Sequence, residues 1–212
     1  VGSILKKRRL NLTCQAQIHQ ARLASVSSNE VATLLQDQFK SEFGVNLRQA
    51  VVSSSAGGVK CGYLAPDTLG VDRWLAMVAA YSKYHQPIIV VDAGSAITID
   101  VVSANGLHLG GYILPGLDLA RTSLWQGTQK VKAEYTSTSS VELGRSTGDA
   151  VNNGVRFSVI TSINQLAKNY DGLVVLTGGS APALELLLNL PMQLIPHLVL
   201  DGLAISDVEF RS

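Results

Sequence analysis

Residues 90–100 read VVDAGSAITID, and this stretch places an acid, a glycine and a hydroxyl between two runs that favour β-strands. The flanking runs, Ile88–Val91 and Ile97–Val102, are rich in the β-branched residues that pack well on a pleated sheet. The short interval between them predicts an antiparallel strand pair with a tight turn. We expect Gly94 to adopt a positive φ in that turn, so that backbone N–H groups point outward at an anion, with Ser95 adding a hydroxyl donor.

Asp92 gives this turn a second possible chemistry. Its carboxylate is a hard oxygen ligand that suits Mg²⁺ or an alkali cation, whereas a phosphate alone would be repelled by it. The alternative is an ordinary hairpin in which the side chains of Asp92 and Ser95 satisfy the turn itself. The residues of the turn leave both interpretations open.

The neighbouring sequence extends the strand pair into a larger unit. Asn105-Gly106 is a strong hairpin signal and predicts a third strand over 107–113, so that the three strands form a meander. A long helix over 148–169 carries Phe157 and Ile160 opposite its main apolar side, as at a subunit contact. The other predicted elements are a strand over 21–26, a helix ending at Gly44, a strand over 47–52, a helix reaching about Tyr84, a helix after Gly116, a strand over 173–176, a further helix, a short strand over 193–195 and a last helix after Gly202. This order predicts a mixed α/β protein.

Composition excludes several functional classes. The 212 residues are 46% hydrophobic, enough for one large domain or two small lobes, and the formal net charge of +1 points to neither nucleic acid nor an anionic membrane. No apolar run approaches the roughly 20 residues of a membrane helix, and no export signal begins the chain. Cys14 and Cys61 lack CxxC spacing and are interpreted as reduced thiols of a cytoplasmic protein. The basic cluster 6–9 is interpreted as a solvated helix end.

Two more glycine-marked segments could bind a ligand, although the P-loop, GxGxxG, zinc and GxSxG signatures are absent from the sequence. Thr177-Gly178-Gly179-Ser180 lies between a buried strand and a helix, where a nucleotide could approach the backbone and its phosphates could face the helix N-terminus. Gly110–Gly116 (GGYILPG) could equally be a packing bend. Each segment alone is also compatible with a plain turn.

Taken together, five segments resemble the type III pantothenate kinase family in order and spacing. They are Gly70–Arg73 (GVDR), Asp92–Thr98 (DAGSAIT), Gly110–Gly116, Thr147–Gly154 (TGDAVNNG) and Thr177–Gly179 (TGG). The resemblance runs from roughly Leu23 to Leu203. It implies an actin-like (ribonuclease H-like) α/β fold with duplicated lobes and mixed sheets, residues 1–93 forming the N-terminal lobe and residues 94–212 the C-terminal lobe, with an approximate boundary.

The family transfers the γ-phosphoryl group of ATP to the primary hydroxyl of pantothenate, the first step of coenzyme A synthesis. The resemblance therefore implies ATP with Mg²⁺, a monovalent cation (K⁺ or NH₄⁺), and a cytoplasmic homodimer. It assigns the general base to Asp72, pantothenate binding to Tyr63, Gly70, Val71, Asp72, Arg73 and Thr147, ATP binding to Gly94, Ser95, Gly178 and Gly179, and the monovalent cation to Asp92.

Elementary chemistry agrees with two of these roles. Phosphoryl transfer needs positioning, charge neutralisation and a carboxylate that accepts the alcohol proton, and an aspartate with an ordinary pKa of about 3.9 is ionised at neutral pH. The fork of Arg73 suits the carboxylate or amide oxygens of pantothenate.

The chain departs from the family pattern in two places. Ser95 stands where the family has threonine, although the hydroxyl is kept. The first Asp-x-Gly-Asn-[Thr/Ser] phosphate loop of the family does not occur before Leu23, so the N-terminal lobe is expected to be incomplete in this sequence. The alternatives are a non-catalytic accessory or regulatory homologue, and another phosphotransferase of the same fold.

Overall fold

The computed structural model describes residues 18–26, 29–127 and 140–211. The predictions for Cys14 and for the basic cluster 6–9 lie outside these ranges. The elements in chain order are β1 (Ala21–Leu23), α1 (Asn29–Phe43), β2 (Leu47–Ala50), β3 (Ser55–Ala56), β4 (Val59–Lys60), α2 (Val71–Tyr84), β5 (Ile88–Ala93), β6 (Ala96–Val102), β7 (His108–Pro115), α3 (Leu117–Gly127), α4 (Thr147–Tyr170), β8 (Leu173–Thr177), α5 (Ala181–Glu185), β9 (Met192–Leu194), α6 (Leu198–Leu203) and β10 (Phe210–Arg211).

The main sheet has five strands in the order β7-β6-β5-β8-β9. β5, β6 and β7 form the predicted antiparallel meander, and β8 and β9 add parallel strands on the other side of β5. In sequence order this is a 3-2-1-4-5 sheet with an antiparallel second strand, as in a ribonuclease H-like lobe. The prediction of an actin-like α/β fold with mixed sheets is therefore confirmed.

The central strand β5 is buried on both faces of the sheet. Ile88 and Val90 belong to a core formed with α2 and α6, while Ile89 and Val91 belong to a second core formed with α4 and α5. Successive side chains of a strand point to opposite faces, so a continuous apolar run supplies both cores at once. This explains why the sequence before Asp92 is uniformly hydrophobic rather than alternating.

The prediction of a last helix after Gly202 is wrong, because Gly202 lies inside α6. A Cβ at this position would lie only 2.3 Å from the carbonyl oxygen of Leu75 on α2. The glycine therefore permits close contact between two helices instead of marking a boundary. The short strand β10, which pairs with β2, has no signal in the sequence that predicted it.

The predicted division between residues 93 and 94 falls at the turn between β5 and β6. These strands pair over six residues of the same sheet, and β10 joins the sheet that contains β1 and β2. We therefore describe the two sheets as structural units, and the division of the chain into lobes stays a prediction. None of the described helices combines the length and apolar character needed to cross a bilayer.

Candidate active site

The turns after β5 and β8 lie side by side at the carboxyl ends of two parallel strands. Asp92 on β5 is in register with Thr177 on β8, and the N–H of Ser180 donates to the carbonyl oxygen of Ala93 at 2.8 Å. Gly178 adopts φ +92°, and a Cβ there would lie 2.4 Å from Asp92 Oδ1. The first glycine of the TGG segment is thus required by its backbone conformation and by the carboxylate beside it.

The prediction for the conformation of Gly94 is wrong. Gly94 does not adopt a left-handed φ, and its N–H donates to the carbonyl oxygen of Ala96 at 3.0 Å instead of pointing outward at an anion. The close approach occurs at Gly116, where a Cβ would lie 2.5 Å from the carbonyl oxygen of Ser95 and 2.6 Å from that of Gly94. The GGYILPG segment therefore packs against the turn that follows Asp92.

Asp72 and Asp92 are two acids in different local environments. Asp72 lies in the first turn of α2, where its Oδ1 accepts the backbone N–H of Arg73 at 2.8 Å. Burial raises the pKa of Asp92 above its ordinary value, and the negative charge of Asp72 raises it further. Across the described ranges of the chain, no group of three or more His, Cys, Asp or Glu side chains is placed to hold a metal ion.

Arg73 makes an ion pair that sequence analysis did not assign. Its Nε and Nη2 donate to the two carboxylate oxygens of Asp100 at 2.8 and 2.6 Å, and its Nη1 donates to the hydroxyl of Tyr63 at 3.0 Å. Burial opposes the guanidinium charge, but the hydrogen bonds and the charge of Asp100 outweigh it, so the pKa of Arg73 lies above its ordinary value. One edge of the fork predicted to bind pantothenate is therefore already occupied.

His108 and Gly111 complete the surroundings of this ion pair. His108 Nε2 lies 3.0 Å from Asp100 Oδ1, and the His108 ring stacks on Tyr63 with centroids 5.5 Å apart. A Cβ at Gly111 would lie 2.5 Å from Asp100 Oδ1 and 3.0 Å from Arg73 Nη2. An acid in the middle of an apolar, buried strand needs a partner, and that rule is the sequence signal that could have identified Asp100.

The remaining predicted residues vary in how the structure supports them. Gly70 is the N-cap of α2, a Cβ there would lie 2.6 Å from Asp72 Oδ1, and Val71 is buried. Gly179 is open, since a Cβ added to it would meet no atom within 4 Å, but α5 has only five residues and gives a weak helix dipole. Thr147 begins α4, and no hydrogen bond or ion pair between described residues joins it to Asp72 or Arg73.

Comparison with known proteins supports the family resemblance. The model of the type III pantothenate kinase family matches residues 3–169, more than half of the chain. The chain belongs to this family. The match includes Tyr63, Asp72, Asp92 and Thr147, whereas Gly178 and Gly179 lie beyond its end.

Individual relatives agree with the family model. A type III pantothenate kinase from Ectopseudomonas mendocina is 37% identical over 200 residues, which cover 90% of this chain and 80% of the relative. A second type III pantothenate kinase, from Azotobacter vinelandii, is 35% identical over 196 residues, which cover 87% of this chain and 78% of the relative. A Campylobacter jejuni protein assigned to the Baf family of transcriptional activators has a similar structure, with a TM-score of 0.56 and 23% identity over 89% of this chain and 82% of that one. That likeness supports the fold alone.

We predict that Asp92→Asn stabilises the protein at pH 7 and that this gain shrinks toward pH 4. The folded-state pKa of Asp92 is raised, so its stabilising contribution is fully present below the unfolded pKa of about 3.9 and is lost as pH rises through the folded-state value. Asparagine does not ionise and escapes that loss. Thermal melts at both pH values, in buffer without K⁺, measure the difference between variant and wild type.

The exposed Asp171 provides the matched control, because Asp171→Asn changes the same functional group at a helix end where asparagine also tolerates the left-handed conformation. If the melting temperature of Asp92→Asn differs from that of wild type by the same amount at both pH values, then folding does not raise the pKa of Asp92.

Proposed function

We propose that the full-length protein phosphorylates pantothenate with ATP, giving 4′-phosphopantothenate in the first step of coenzyme A biosynthesis in the cytoplasm. Membership of the type III pantothenate kinase family supports this reaction. The observations that carry the assignment of residues are the Asp72 carboxylate, held by the Arg73 N–H at the start of α2, and the hydrogen bond from Arg73 to Tyr63.

Asp72 has the environment of a general base. The backbone N–H of Arg73 holds one carboxylate oxygen, Oδ1, and thereby fixes the direction of the group at the start of α2. The second oxygen makes no described hydrogen bond and would accept the proton of a substrate hydroxyl. Arg73, the next residue along α2, and its partner Tyr63 would bind pantothenate. Gly70, Val71 and Thr147 would complete the pantothenate site.

The turns at the ends of β5 and β8 would hold the nucleotide, with Gly94, Ser95, Gly178 and Gly179 as the contacting residues. ATP with Mg²⁺ supplies the phosphoryl group and neutralises its charge. The raised pKa of Asp92 indicates a carboxylate that lacks a compensating positive charge. Since an oxygen ligand suits a hard cation, Asp92 fits K⁺ or NH₄⁺ bound beside the phosphates.

Asp72→Asn should lower kcat about 10²–10⁴-fold, the usual effect of losing a general base, while the KM for ATP changes little. Steady-state kinetics of the full-length protein test this, with the exposed Asp67→Asn as the control for a nearby acid. Turnover close to wild type in Asp72→Asn would remove Asp72 from the mechanism. A wild-type protein that binds pantothenate without phosphorylating it would favour the accessory homologue.

Activity should depend on K⁺ or NH₄⁺ and fall when Na⁺ replaces them at constant ionic strength. Asp92→Ala should abolish that dependence because it removes the charged oxygen ligand of the cation. The rate is measured across a series of chloride salts, with circular dichroism establishing that the variant is folded. If Asp92 only stabilises its turn, wild-type activity will be equal in Na⁺ and K⁺.

Exposed apolar side chains on β7 and α4 support a homodimer. β7 is the edge strand of the main sheet and exposes Tyr112 and Ile113. An exposed apolar edge tends to associate with another chain unless it is covered. On α4, Ile160 is buried within the protein itself, whereas Phe157 is 55% exposed. The expected second apolar face of α4 is thus reduced to Phe157.

We expect Phe157→Glu to convert a dimer into a monomer, because a charge in an apolar contact is left desolvated. Light scattering after size-exclusion chromatography gives the mass, and Leu186→Glu, at another exposed apolar side chain, is the control. A wild-type protein that is monomeric at all concentrations tested would refute this proposal.

A further inference from the structure

Four side chains from separate parts of the fold form a closed ring of contacts, which we call the arginine ring. Tyr63 lies after β4, Arg73 on α2, Asp100 on β6 and His108 on β7. Arg73 donates to Asp100 and to Tyr63, His108 Nε2 contacts Asp100, and the rings of His108 and Tyr63 stack at an interplanar angle of 13°. Each member is thus held by two others.

The arginine ring is poorly explained as a device for stability. Arg73 is 7% exposed, and Asp100 and His108 are each 1% exposed. Taking two charges out of water is unfavourable, and the mutual attraction of a buried pair often only offsets that cost. What the pair does supply is a fixed direction, since a guanidinium held by both carboxylate oxygens cannot rotate.

The hydrogen bonds of Arg73 show which of its N–H donors are still available to a substrate. A guanidinium has five N–H donors, and three of those of Arg73 are engaged by Asp100 and Tyr63. Two donors remain, one on Nη1 and one on Nη2, and that of Nη2 lies on the terminal edge of the group. Their direction is set by the carboxylate plane of Asp100.

His108 in turn restrains Asp100. Its Nδ1 is buried without a described hydrogen-bond partner, so the favoured tautomer carries the proton on Nε2 and donates it to Asp100 Oδ1. The same oxygen accepts Nη2 of Arg73, and Gly111 leaves the space for both. The imidazole therefore fixes the carboxylate by its N–H and supports Tyr63 by its ring.

We propose that Asp100 and His108 are positioning residues for the acceptor substrate: Asp100 orients the terminal edge of Arg73, and His108 orients Asp100 and Tyr63. This assignment rests on the proposed function, in which Arg73 and Tyr63 bind pantothenate. It predicts a loss of acceptor binding with no matching loss in ATP binding, because two members of the ring, Tyr63 and Arg73, are proposed to bind pantothenate and none is proposed to bind ATP.

Three substitutions in the full-length protein test this assignment, and two of them separate the contributions of His108. His108→Phe keeps a ring beside Tyr63 and removes the N–H, whereas His108→Gln keeps an N–H donor and removes the ring. Asp100→Asn removes the charge that orients Arg73, and the exposed Asp171→Asn is its matched control. Steady-state kinetics give kcat and both KM values, and thermal melts report stability.

Asp100→Asn and His108→Phe should raise the KM for pantothenate about 10–100-fold, the effect of a lost hydrogen bond to a charged group. The KM for ATP should stay within about threefold, and His108→Gln should recover most of the loss. An active wild type with an unchanged pantothenate KM in both variants overturns the positioning role alone. Equal effects on both KM values with a lowered melting temperature also overturn it, in favour of a structural role. A wild type that does not phosphorylate pantothenate overturns the proposed function and this assignment with it.

Discussion

The pairing of β5 with β6 on one side and with β8 on the other holds the candidate site together. Because β5 is central, its side chains enter two cores, and its carboxyl end cannot move without disturbing both. Asp92 lies at that end, between the turn that connects β5 to β6 and the TGG turn that follows β8. Packing in the interior thus determines the position of a half-buried charge at the surface.

The aspartates near the start of α2 differ in whether a positive charge compensates them, and this difference separates their roles. Asp100 is buried against a guanidinium and a histidine, so its charge is compensated and it serves to orient other groups. Asp92 has no such partner among the described residues, and burial together with the charge of Asp72 raises its pKa. A carboxyl group with a raised pKa is typical of reacting or ligand-binding positions.

The elements predicted well from sequence are those with local signals. The two apolar runs around Asp92, the Asn105-Gly106 turn and the apolar helix ending near Tyr84 each depend on neighbouring residues, and the structure contains all of them. The errors at Gly94 and Gly202 have another origin. A glycine can be needed for a positive φ or for the close approach of another part of the chain, and the sequence does not distinguish the two. For Gly202 the deciding contact is with Leu75, which is distant in sequence.

The candidate site shows the same division. The segments that carry Asp72, Asp92 and the glycine turns could be found by their order and spacing, whereas the partners of Arg73 could not. Asp100 is 27 positions from Arg73, and His108 carries no motif of its own. Their contacts arise from the register of three antiparallel strands against α2, which the sequence does not state directly.

The short strand β10 affects the order in which the protein takes shape during synthesis. Arg211 of β10 bonds to Gln49 of β2 across 162 positions, whereas the strands of the main sheet are supplied by residues 88–194. Contacts between distant positions carry a greater loop-closure cost and form late. On a ribosome, therefore, all five strands of the main sheet have been translated while β2 still presents an unpaired edge, and the sheet that contains β1 and β2 gains its third strand only afterwards.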